Sequence, residues 1–81
     1  MELKIIRPSG SEQFDVVTVE LNTPEGNIVI LKEHVPMIVT LTQGKEIGFI
    51  LKSGKRESVL VRQGIAHITR TNVTVMLNEK K

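Results

Sequence analysis

Side chains able to do chemistry are scarce in this chain. Its two histidines, His34 and His67, are the only imidazoles, and it has no cysteine to act as thiolate nucleophile, disulfide partner or zinc ligand. General acid–base work needs titratable partners held at a fixed spacing, and no carboxylate pair stands at a recognisable one. A Gly-x-Ser-x-Gly elbow is absent, and no glycine-rich loop opens a helix to cradle a phosphate. The residue types therefore argue against an enzyme and supply no catalytic, cofactor-binding or metal centre. His67 lies in phase with Ile65 and Thr69 in a strand-like run and reads as a partly buried or face-lining histidine. His34 stands at an irregular corner before Val35-Pro36 and, with no second ligand beside it, reads as a structural or interface group.

Nucleic-acid binding is the second chemistry to weigh. Small barrels that hold single strands combine a basic groove with stacked aromatic rings. Here the local basic cluster, Lys52, Lys55 and Arg56, is split by Ser53 and Gly54 at a polar hairpin tip, and the only aromatics are Phe14 and Phe49. Eleven Lys and Arg against nine Asp and Glu give a net charge of +2, too small to imply a polyanionic partner. A small nucleic-acid-binding β-barrel stays the alternative class, and an unrecognised enzyme comes third.

The elements that must position these residues are strands. Apolar residues recur with period 2 nearly throughout, and β-branched Val, Ile and Thr gather in short runs. Leu3 and Ile5 alternate with Glu2 and Lys4 before a turn or loop at Arg7-Pro8-Ser9-Gly10-Ser11. A second strand is expected from near Phe14 to Leu21, with Val17, Val19 and Leu21 on one face and Phe14, Val16, Thr18 and Glu20 on the other. Thr23-Pro24-Glu25-Gly26 is the best turn signal in the chain. Pro24 pre-sets φ, and Gly26 suits the left-handed position of a three-residue hairpin with a bulge, returning the chain into Asn27–Leu31. Lys32-Glu33-His34-Val35-Pro36 then breaks the pattern as a corner between sheets, and Met37–Leu41 resumes it. Further strands are expected over Ile47–Leu51, Glu57–Arg62, Ile65–Arg70 and Val73–Leu77, where Val73, Val75 and Leu77 share a face. The tail from Asn78 to Lys81 reads as solvated.

No segment carries a helical stripe, so the expected fold is all-β, a small β-sandwich or flattened barrel of about eight to ten short strands. Eighty-one residues allow a single domain over 1–81 and no second core. Hydrophobic residues at 40% and charged residues at 25% are ordinary for a folded domain. No apolar run reaches the ~18–20 residues of a membrane-spanning helix, and the Met-Glu-Leu-Lys-Ile-Ile start lacks the pattern of a secretory signal.

The order Thr23-Pro24-Glu25-Gly26-Asn27-Ile28-Val29-Ile30-Leu31, followed by His34-Val35-Pro36, resembles the epsilon subunit of rotary F-type ATP synthases, whose pattern there is TPEGxIGIL, then Pro-Gly, then HAP. Leu41-Thr42-Gln43-Gly44 is similar to that family's leucine–lysine–proline–glycine turn. Val61–Ala66 stands where the family has a Gly-Gly-Phe lead into a strand. Asn72–Leu77 resembles its closing NKVTVL-like strand, and Phe14–Leu21 its VDSVVLPT-like strand. The departures are Val29 for a glycine, Lys32-Glu33 for Pro-Gly, and Gln63 for the first glycine of the pair.

The resemblance implies an N-terminal β-sandwich without the C-terminal helical hairpin of many family members. It implies a non-catalytic rotor subunit of a proton- or sodium-translocating enzyme, docking the gamma subunit to the c-ring at the cytoplasmic face of the inner membrane. By residue-for-residue match, His34, Val35, Pro36 and Met37 would face gamma, and Glu25, Gly26 and Asn27 the c-ring loops. An acidic residue is common where Asn27 stands, so the charged contact is either missing or shifted to Glu25. An apolar docking face left without its partner would favour homodimers of the isolated chain.

Overall fold

A computed structural model describes residues 1–78. Eight strands follow one another, β1 Glu2–Arg7, β2 Gly10–Thr23, β3 Gly26–Ile30, β4 Met37–Thr40, β5 Glu46–Leu51, β6 Arg56–Leu60, β7 Gly64–Ile68 and β8 Asn72–Leu77, with no helix among the described residues. The all-β expectation holds, at the lower end of the expected strand number.

Strand β2 is the spine of the molecule. Its first part pairs antiparallel with β1, and its second part pairs with β3 on one side and β5 on the other. The continuous order is β4-β7-β8-β1-β2-β5-β6, with β3 attached to β2. All pairings are antiparallel except β1 with β8, where Leu3 lies opposite Val73 and Ile5 opposite Val75. This parallel pair joins the two ends of the described chain in the middle of one layer.

The layers meet because the sequence alternates. Leu3, Ile5, Ala66, Ile68, Val73 and Val75 on one side and Val19, Leu21, Ile30, Ile47 and Phe49 on the other form one core, and among the described residues no polar or charged residue is buried with them. Phe14 and Phe49 join the layers across a tilted ring contact, 4.9 Å between centroids. At this chain length such a core carries most of the favourable folding energy.

Two expectations are corrected. Val17 does not share a face with Val19: it is 51% exposed, whereas Val16 is buried. The pairing of β2 with β5 shifts register between Val16 and Thr18, so a β-bulge at Val17 resets the phase where β2 passes from one layer to the other. Strand β2 also begins at Gly10 rather than near Phe14. Its polar start carries no hydrophobic alternation, and it is held by pairing with β1 and by side-chain bonds to it. Arg7 lies opposite Gly10, Arg7 Nη1 donates to Glu12 Oε1 at 2.6 Å, and Gln13 Nε2 donates to Glu2 Oε2 at 2.7 Å.

Gly64 marks a close approach. A Cβ there would lie 2.7 Å from both the Met76 carbonyl oxygen and Leu77 Cδ2, so β7 reaches β8 only because this residue has no side chain. Of the tail, Asn78 is exposed and its N–H donates to the Gln63 carbonyl at 2.7 Å; Glu79, Lys80 and Lys81 lie outside the described residues.

Candidate functional site

The β2–β3 connection is tighter than the sequence suggested. Thr23 already pairs with Gly26, which leaves Pro24 and Glu25 as a two-residue loop rather than three. Gly26 takes φ +131°, a conformation that a side chain would oppose. Thr23 Oγ1 accepts the Glu25 N–H at 3.2 Å and donates to the Gly26 carbonyl at 2.9 Å, closing the tip from inside. Glu25, Gly26 and Asn27 are therefore brought together at one exposed end. Behind them Asn27 Nδ2 donates to Asn22 Oδ1 at 3.1 Å, and Asn22 Nδ2 donates to the Glu46 carbonyl at 2.8 Å.

The corner after β3 is built differently. The His34 N–H donates to the Leu31 carbonyl at 3.1 Å, which closes a turn through Lys32 and Glu33, and the Glu33 N–H donates to the Arg70 carbonyl at 2.8 Å. The corner is thereby pinned to the link between β7 and β8. His34 Nδ1 lies 2.8 Å from the Val35 carbonyl oxygen, which can only accept, so Nδ1 is the donor in this contact. Around this half-buried ring Val35 is 68% and Met37 37% exposed, and Pro36 is exposed as well. His34, Val35, Pro36 and Met37 form one apolar corner with a single polar atom, Nε2, left over.

Tip and corner do not meet. They lie at the two ends of the five-residue β3, roughly 14 Å apart along a strand that rises about 3.4 Å per residue. Sequence reasoning missed two further exposed apolar residues nearby, Leu31 before the corner and Ile38 on the outer face of β4, 54% and 68% exposed. The run Met37–Leu41 is apolar on both strand parities, and that was the available signal that one of them must face outward. Ile38 pairs with His67, which is exposed on the outer face, and Ile65 and Met76, paired with each other, extend that face.

Among the described residues no group of side chains elsewhere is arranged as a catalytic centre. A shallow hollow of about 670 Å³ lies over Gly48 on the outer face of the β5 layer, with Glu20, Glu46 and Arg56 among its lining and no histidine to activate the hydroxyl of Thr18 or Ser58. No group of His, Cys, Asp or Glu among the described residues is arranged to hold a metal ion. In the basic cluster Lys52 faces Asp15 at 3.7 Å and Lys55 faces Glu57 at 3.3 Å, so two of its three cations have a carboxylate partner.

Known proteins agree with this architecture. The chain is 34% identical over 77 residues to the ATP synthase epsilon chains of two strains of Ureaplasma parvum serovar 3, a match covering 91% of this chain and 55% of each relative. It thus spans about half the length of the curated relatives it matches. Among solved structures, a chain of the Euglena gracilis mitochondrial ATP synthase, in its OSCP/F1/c-ring assembly, superposes with a TM-score of 0.84 at 22% identity, over 93% of this chain and 48% of that one. A chain of the Tetrahymena thermophila mitochondrial ATP synthase, from its central stalk and c-ring, gives 0.81 at 14% identity, over 98% and 63%. At these identities the superpositions establish the fold. Residues 1–80 match the model of the ATP synthase Delta/Epsilon chain β-sandwich domain, and the chain belongs to that family.

Proposed function

We propose that residues 1–81 act as one domain of a non-catalytic central-stalk subunit, which docks a gamma subunit to the c-ring of a proton- or sodium-translocating ATP synthase. The observation that carries this reading, beside family membership, is the placement of two unlike surfaces at opposite ends of β3. A rotor element between two partners needs one surface for each and a stiff path between them. The apolar corner of His34, Val35, Pro36 and Met37, with exposed Leu31 before it, suits a stable protein–protein contact with gamma. The polar tip of Glu25, Gly26 and Asn27 suits the polar loops of the c-ring. Association with the membrane is then peripheral, at the cytoplasmic face of the inner membrane and through the complex, and no cofactor is needed. Left alone, the apolar corner promotes self-association of the chain.

Calorimetric titration with the gamma subunit of the same organism at two salt concentrations tests the reading. Saturable one-to-one binding that survives the higher salt is expected of an apolar contact. Failure to bind at either salt refutes the stalk assignment.

A further inference from the structure

Most free sheet edges of this protein are guarded against pairing with another chain. Among the described residues β6 carries Arg56 and Glu57, the polar start of β2 carries Glu12, and β4 is a four-residue strand behind Pro36, which lacks an N–H. Strand β3 has no such guard. It pairs with β2 alone and without a bulge, and Gly26-Asn27-Ile28-Val29-Ile30 holds neither charge nor proline. Thr23 and Gly26 flank a two-residue loop and so form a hydrogen-bonded pair, as do Leu21 with Ile28 and Val19 with Ile30 by alternation. Asn27 and Val29 therefore turn their main-chain N–H and C=O groups to the open edge. An independent contact agrees: the main-chain carbonyl of Asn22, which lies opposite Asn27, accepts the Thr42 N–H at 2.8 Å and so points away from β3.

A second copy of β3 fits this edge. With the two strands antiparallel and Ile28 opposite Ile28, the whole strand overlaps, Asn27 lies opposite Val29, and the outward N–H and C=O groups match. The Val29 side chains, 51% exposed in the single chain, gather about the two-fold axis. Past the strand ends the same register sets Pro24 opposite Lys32, which brings the Lys32 ammonium of each copy beside the Glu25 carboxylate of the other. Among the described residues neither group has an ion pair within its own chain. Moving the axis to Val29 or to Asn27 shortens the overlap, and the former also sets Glu25 opposite Glu33, where like charges oppose it.

We propose that the free chain forms a two-fold dimer by joining its β3 edges, antiparallel through Ile28, into one continuous sheet. This rests on the reading that the free chain self-associates, and it supplies the contact that gives the association a register, which an apolar corner alone does not set.

The test is sedimentation equilibrium of the 81-residue chain over a concentration series, with amide hydrogen exchange read by NMR at both ends of the series. A monomer–dimer equilibrium is expected. The main-chain amides of Asn27 and Val29 should gain protection as the dimer fills, while that of Ile28, already bonded to Leu21, stays as it was. Val29→Pro should abolish the dimer and leave the monomer folded, because the N–H it removes bonds nothing within the chain. Glu25→Lys and Lys32→Glu should each raise the dissociation constant about two- to thirtyfold, since each change acts twice across the axis, and the double exchange should restore it to within about threefold. The charge exchange and the amide protection decide the matter even where Val29→Pro unfolds the chain. A dimer that forms without protecting Asn27 and Val29, or that the double exchange does not restore, overturns the proposal. Dimerisation that Val35→Ser abolishes and Val29→Pro leaves intact also overturns it, and leaves self-association through the corner standing. A chain that stays monomeric throughout the series overturns both.

Discussion

Glu33→Gly should stabilise this protein. Among the described residues Glu33 is the only non-glycine with positive φ, at 68°. It occupies the third position of the turn closed by the His34 N–H on the Leu31 carbonyl, and Lys32 before it keeps negative φ, which is the sign pattern of a type II turn. In that region a Cβ crowds the following carbonyl and costs about 1–2 kcal/mol. Glycine removes this strain but returns about 0.5–1 kcal/mol through the greater freedom of the unfolded chain. The balance is a gain of about 0.5–1 kcal/mol, which in a domain of this size raises the melting temperature by roughly 2–8 °C. Thermal melts followed by circular dichroism would read it, with Glu33→Ala as the control. Alanine keeps the Cβ and loses the charge, so it should give no comparable gain. An equal rise in both variants would attribute the effect to charge, and a fall in Glu33→Gly would remove the strain argument altogether. The Pro-Gly that the resembling family carries at these positions is the pair a type II turn favours.

The remaining expectations follow from packing and exposure. Gly64→Ala should lower stability by about 1–3 kcal/mol, because one of the two atoms its Cβ would strike is a main-chain carbonyl that cannot swing aside; the midpoint of urea unfolding measures it. Val16→Thr should cost about 1–3 kcal/mol by burying a hydroxyl among apolar neighbours. Val17→Thr should stay within about 0.5 kcal/mol, and equal costs would place the bulge elsewhere. His34→Ala combined with Met37→Ala should weaken gamma binding in calorimetry without changing the melting temperature, since both side chains lie at the exposed corner rather than in the core.

Much of the fold is legible in the sequence because alternation and turn chemistry are local. Val73, Val75 and Leu77 announce their buried face by spacing alone, and Pro24 with Gly26 announces a reversal. The failures fall where a non-local pairing decides. A bulge at Val17 is invisible in a run of β-branched residues until β2 must leave β1 for β5. The polar start of β2 shows no strand pattern because all of Gly10–Gln13 faces water, and it is held by pairing with β1. At the candidate surfaces, the exposed apolar residues of the corner fit either core or contact by type, and only the register of β4 against β7 turns Ile38 outward. Asn22 carried no signal: its meaning depends on Glu46, 24 positions away.

The same contacts bear on the proposed role between two partners. Among the described residues no polar or charged side chain belongs to its core, so the two layers are held together by apolar packing. Strand β3 is tied to β2 over its whole length, from Gly26 opposite Thr23 to Ile30 opposite Val19. Under the proposed stalk reading, force entering at one end of β3 would pass into the spine before it reached the other. The ends need separate anchors, and they have them: the Asn22 hydrogen bonds fix the tip to β5, and the Glu33 N–H fixes the corner to the β7–β8 link. One anchor is unstrained and the other carries a side chain in a conformation that favours glycine. If compliance limits coupling in this chain, it resides at the corner, where Glu33 stands in place of the glycine that would relax the turn.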